Sequence, residues 1–169
     1  MNVPANPPLP WTWPDPPLQV ALVEPEIPPN AGNIARLCAA TGAPLHLIGP
    51  LGFRVTDRDL KRAGVDCWDA VRVRRHRDFE SFLASPDCGR VFLFSKKGSR
   101  PYTSADYRPG DTLVFGSESH GLPEELLRAH ADRVLAIPMR PGTVRSLNLA
   151  TAVGIALYEA LRRAAGPAL

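Results

Sequence analysis

The sequence predicts an α/β fold, with a mainly parallel sheet and helices on both of its faces. Two observations carry that prediction. Short apolar, β-branched or aromatic runs at Leu18–Val23, Leu45–Ile48, Val91–Ser95, Thr112–Phe115 and Arg133–Ile137 read as strands. Helical patterns lie between them, at about 31–41, 57–63, 78–84 and 123–130, and strands that alternate with helices pair in parallel with both faces covered. A chain of 169 residues suits one domain with a real core and is short for two.

Residues 1–17 hold seven of the nineteen prolines together with Trp11 and Trp13, and proline fixes φ while removing an amide donor. This reads as an extended arm, with its tryptophans packing on the body or on a second subunit, ahead of a single domain over 18–169. The loop Glu24-Pro-Glu-Ile-Pro-Pro-Asn-Ala-Gly-Asn follows the first strand; its prolines stiffen the approach to a helix that Asn30 or Asn33 is expected to cap. That helix projects Arg36. Between 54 and 77 there are eight Lys or Arg residues against four acids, and Lys96, Lys97 and Arg100 form a second basic knot. Such runs fit either a docked polyanion or a solvated surface.

After the Thr112–Phe115 run comes Gly116-Ser-Glu-Ser-His-Gly-Leu-Pro, where a glycine directly after a strand lets a ligand lie close to the backbone. The helix at 123–130 opens with Pro123, Glu124 and Glu125, which suit a helix N-terminus. Last, a Pro/Gly-kinked stretch from Ile137 feeds a long helix. Ser146 reads as its N-cap with Asn148 in the first turn, while Ala150, Val153, Leu157 and Leu161 recur at helical spacing. Ala152, Gly154 and Ala156 keep the adjoining surface small enough for another helix. In parallel sheets ligands gather at the carboxyl ends of strands, where these three loops sit.

Several classes are set aside. No apolar run approaches the roughly 20 residues a membrane helix needs, and no basic-then-apolar leader pattern is present, so the cytoplasm is the expected compartment. Three scattered cysteines and four histidines without a His-x-x-x-His pair give no metal cage. The net charge of +3 permits a nucleic-acid partner without requiring one. Neither a dinucleotide fingerprint nor a P-loop occurs. Ser117-Glu-Ser-His-Gly121 approaches the nucleophile elbow Gly-x-Ser-x-Gly, which would make Ser119 a nucleophile, but the downstream histidine such a scheme needs is only His130.

Three stretches, Pro25–Gly42, Phe115–Pro123 and Ile137–Leu149, resemble in order and spacing the motifs of the SPOUT, or trefoil-knot, RNA methyltransferases. The closest resemblance is to the short branch that 2′-O-methylates the wobble cytidine or uridine, position 34, of leucine tRNAs; Leu45–Ile48 and Lys61–Asp66 look like it too. The resemblance implies a deep C-terminal trefoil knot and S-adenosylmethionine bound within it by Phe94, Gly116, Ile137 and Ser146, with Met139 and Leu147 beside them. It also implies that Arg36 acts on the hydroxyl, as base or as phosphate clamp, with Asn30, Glu118, Ser146 and Asn148 as supporting polar positions. Expected partners are the tRNA anticodon loop and a second copy of the chain, paired through the knot region, with no metal and no membrane. Alternatives are methylation at another RNA position, or a catalytically silent RNA-binding protein on the same fold. Pro141 and Gly142, His120 and the Pro/Trp arm depart from the family pattern.

Overall fold

The computed structural model describes residues 11–53 and 70–165. The expected helix at 57–63, the stretch Lys61–Asp66 and the basic residues from 54 to 62 lie outside them. The elements run β1 (Gln19–Val23), α1 (Pro28–Thr41), β2 (Leu45–Ile48), β3 (Val73–His76), α2 (Phe79–Leu83), β4 (Val91–Phe94), β5 (Arg100–Pro101), β6 (Thr112–Phe115), α3 (Glu124–Ala129), β7 (Val134–Ala136) and α4 (Leu149–Ala164). They build one sheet in the order β3-β2-β1-β6-β4-β7-β5, and each pairing is parallel. Strand alternation divides the core in two. Val20, Leu22, Leu45, Leu47, Leu113 and Phe115 face α1 and α4, while Ala21, Val23, Ile48, Leu93 and Val114 face Phe82 of α2 and Leu127 of α3. Helices therefore cover both faces, as the sequence predicts.

Two strands escape the sequence reading. β3 is Val-Arg-Arg-His at the sheet edge, where charged side chains reach solvent, and β5 is only Arg-Pro. The arginines around β3 are partly neutralised, since Arg74 pairs with Asp87 and Arg77 with Asp78. In the second basic knot Lys97 pairs with Glu124, and Arg100 donates to the Asp132 carbonyl at 2.6 Å. In the arm, Trp11 packs on the core face that carries α1 and α4, and Trp13 stays half exposed.

Both long helices begin elsewhere than expected. α1 starts at Pro28, with prolines in its first turn, where a missing N–H costs nothing; its N-cap residue, Ile27, makes no side-chain cap, so neither Asn30 nor Asn33 has that role. α4 is capped by Asn148, whose Oδ1 accepts the Thr151 N–H at 3.2 Å; Ser146 lies two residues too early. Val153, Ala156, Leu157, Ala160 and Leu161 are buried and α4 lies against α1, but Ala150 is only partly covered. A side chain at Gly154 would meet nothing within 4 Å, so within the protomer that glycine serves no close approach.

A buried polar chain crosses the other face. Gln19 Nε2 donates to the Asp87 and Gly110 carbonyls, which leaves its Oε1 as acceptor for His46 Nε2–H at 2.8 Å; His46 Nδ1 then accepts from His76 Nε2–H at 2.9 Å. His46 is neutral in this arrangement. Burial, then His76 and Arg74, push it down to about 4 from 6.5, and burial followed by Arg74 lowers His76. The unfolded chain takes up the proton first as pH falls, so this stability is intact above about pH 6.5 and is lost toward pH 4. Denaturant midpoints taken across that window are expected to fall, with a slope of up to about 1.4 kcal/mol per pH unit for each proton.

Candidate functional site

The carboxyl ends of β1, β6 and β7 send three loops to one place. In the second, Glu118 projects its carboxylate into the first turn of α1. It accepts the Glu26 N–H at 2.8 Å, the Ile27 N–H at 3.2 Å and Asn30 Nδ2 at 2.9 Å. An anion from another loop thus holds the backbone that leads into α1, near the positive end of the helix dipole. Asn30 Oδ1 in turn accepts Asn148 Nδ2 at 2.9 Å, so Glu118, Asn30 and Asn148 tie the three loops into one chain of hydrogen bonds.

The first two loops also bind in the opposite direction. Glu26 Oε2 accepts the Ser119 N–H at 3.0 Å, and Glu26 Oε1 accepts the Ser119 hydroxyl at 2.6 Å. The Ser119 hydroxyl, opposed by partial burial and helped by the Ser119 amide and His120, holds the Glu26 carboxyl below its usual range. Ser119 Oγ also lies 2.7 Å from His120 Nδ1. Because the serine proton points at a carboxylate, Ser119 is not set up to give it to a histidine, and the nucleophile-elbow reading fails on that geometry.

Between the loops lies a cavity of about 370 Å³, a volume typical of small-molecule sites. Phe94 and Phe115 stack beneath it with ring centroids 4.7 Å apart, Ile137, Met139 and Leu147 supply apolar wall, and Lys96, Lys97 and Arg145 bring positive charge. Among the described residues no group of His, Cys, Asp and Glu is placed to hold a metal ion.

Residues 17–158 match the SpoU rRNA Methylase family model. The chain belongs to the SpoU rRNA methylase family. It is 45% identical over 151 residues to the tRNA (cytidine(34)-2'-O)-methyltransferase of Escherichia coli (strain K12), covering 89% of this chain and 96% of that protein. A solved structure concerned with the 2-OH methylation of C/U34 on tRNA superposes with a TM-score of 0.79 at 55% identity, over 86% of this chain and 95% of that one. The AdoMet-bound rRNA methyltransferase from Sinorhizobium meliloti superposes with a TM-score of 0.75 at 34% identity, over 86% of this chain and 56% of that one.

All six positions that the resemblance assigns to the cofactor line the cavity of this SpoU-family chain: Phe94, Gly116, Ile137, Met139, Ser146 and Leu147. Asn30, Glu118 and Asn148 line it as well. Arg36 does not; it stands exposed on α1. Sequence reasoning missed Glu26 as a partner of Ser119, and it placed Glu118 among the supporting polar positions through the resemblance alone. Their only signal was the shared motif, because each partner is about ninety residues away.

Gly116 has a second reason for being glycine. A Cβ there would lie 2.0 Å from the Gly121 carbonyl carbon and 2.2 Å from the Leu122 nitrogen, because the loop folds back on itself through a bridge between Ser117 and Gly121. Backbone of the same loop presses directly on it. Gly116→Ala is expected to cost more than about 2 kcal/mol, since backbone cannot give way as a side chain can, and a shifted denaturant midpoint would show it.

Proposed function

We propose that this chain transfers a methyl group from S-adenosylmethionine to the ribose 2′-hydroxyl of the wobble cytidine or uridine, nucleotide 34, of leucine tRNAs. The observation that carries the reading is the convergence of three loops of a SpoU-family chain on one cavity, lined by each residue expected at the cofactor. The kind of lining fits that group. Phe94, Ile137 and Leu147 offer an apolar slot for a purine, Gly116 and the backbone around it offer polar groups at close range, and Met139 and Ser146 complete the wall. S-adenosylmethionine, when bound, supplies a methyl group on a good leaving group, which leaves the protein the tasks of alignment and proton handling.

Asn30, Glu118 and Asn148 hold the loops in register, so the wall keeps its shape when the RNA arrives. Arg36, outside the cavity, grips a phosphate beside the target ribose and draws electron density from the hydroxyl; a guanidinium stays protonated and suits this better than proton abstraction. A wobble nucleotide is single-stranded and needs no duplex opening, which fits a chain of this size. Lys96, Lys97 and Arg145 at the cavity suit the phosphates of an anticodon loop. In this reading residues 18–169 form the catalytic domain and work in the cytoplasm as a homodimer. The exposed apolar groups Val144, Ile155 and Tyr158, on the third loop and the outer side of α4, support pairing there. In this reading the stretch from Ile137 to Leu147 is the threaded part of a trefoil knot, which is consistent with the place of β7 inside the sheet between β4 and β5.

Labelled methyl transfer to total tRNA, mapped to the nucleotide, tests this. A single 2′-O-methyl group at nucleotide 34 of leucine tRNAs is the expected product. Label on a base, or on ribosomal RNA alone, would overturn the substrate and leave the family standing. Calorimetry showing tRNA binding without cofactor binding would favour a silent RNA-binding protein.

A further inference from the structure

The Glu26–Ser119–His120 cluster fixes where the proton on the His120 ring sits. Glu26 is an acceptor only, and it already takes the Ser119 hydroxyl proton at 2.6 Å. Ser119 Oγ has no second proton to give. At 2.7 Å from His120 Nδ1 it can only accept, so the neutral ring carries its proton on Nδ1 and presents a bare lone pair at Nε2. The ring is exposed and lines the cavity, and Nε2 makes no hydrogen bond to a described residue. Glu26 on the first loop has Oε1 3.8 Å from Nδ1, and the other charged groups that line the same cavity are Glu118 on the loop of His120, Lys96 and Lys97 after β4, and Arg145 on the third loop.

We propose that His120 Nε2 is the general base that takes the proton from the ribose 2′-hydroxyl, with Ser119 and Glu26 as positioning residues that set its tautomer. The inference rests on the methyl-transfer reading above. In the step, the hydroxyl O–H bond breaks and its proton goes to Nε2. The oxygen gains the methyl carbon from the sulfonium donor, whose broken C–S bond leaves its electron pair on sulfur. The imidazolium then donates to the Ser119–Glu26 chain through Nδ1 and returns the Nε2 proton to water. This divides the labour that one arginine performs poorly: Arg36 binds the phosphate, and a group with a true lone pair handles the proton.

Two measurements decide it. Nitrogen-15 NMR of the histidine rings in the protein alone, without RNA or methyl donor, should show His120 protonated on Nδ1, and Ser119→Ala should move that proton to Nε2. Separately, His120→Ala should lower kcat on tRNA about 100-fold, within the usual range for removing a general base. Binding of cofactor and tRNA should stay within about twofold, and added imidazole should restore part of the rate. An Nε2–H ring in the wild-type protein, or kcat in His120→Ala within about twofold of wild type, would overturn the proposal. A wild-type protein that methylates no RNA would instead overturn the methyl-transfer reading, and the ring tautomer would still report whether the relay exists.

Discussion

Arg36→Ala is expected to lower methyl transfer to tRNA by at least about 100-fold while leaving affinity for S-adenosylmethionine within about twofold. The split follows from position: Arg36 is exposed on α1 and no part of the cavity wall, so its loss removes nothing from the cofactor's surroundings. What goes is a planar fork of donors able to hold a phosphate with two parallel hydrogen bonds, each stronger than a neutral one. Arg36→Lys should recover little, because a lysine restores the charge without the fork. Single-turnover assays with calorimetry separate the two effects, and a fully active Arg36→Ala would remove this residue from the mechanism.

Glu118→Ala should damage both fold and site. It withdraws the acceptor from two backbone N–H groups at the start of α1 and from the Asn30 amide. At roughly 1 kcal/mol for each hydrogen bond the expected loss is about 3 kcal/mol, read as a lower denaturant midpoint. The tie between the first two loops weakens with it, so cofactor affinity should fall at least about tenfold. Glu118→Gln, which keeps one carbonyl oxygen, should lie between. Unchanged cofactor affinity in Glu118→Ala would show that the Glu26–Ser119 exchange alone holds the loops.

The strands that the sequence reveals are those whose residues declare burial: Val20 and Leu22, Leu45 and Leu47, Leu113 and Phe115 are apolar because both sheet faces are covered. β3 stays hidden because an edge strand can carry Arg74 and Arg75 without burying them. Helix ends are legible only as a choice among nearby polar residues, and Ser146 against Asn148 is settled by which side chain meets the Thr151 amide. The cavity wall is legible from the three motifs together, since Gly116 or Ile137 alone would be an ordinary turn or core residue. Glu118 and Glu26 show the limit. A carboxylate whose partners lie 88 to 93 residues away leaves no mark in any local window, and only folding reveals that each loop supplies the acceptor for the other.

The hydrogen bond from Asn148 to Asn30 spans 118 residues, and α4 must follow it before the cap is secured. During synthesis, therefore, no shorter nascent chain owns the pocket. The first loop waits for a partner 118 residues downstream, and ligand binding is expected to begin only once α4 has followed it. Truncations that stop before Asn148 should consequently bind no cofactor at all, however much of the sheet they retain, which makes cofactor capture a direct clock for the arrival of α4.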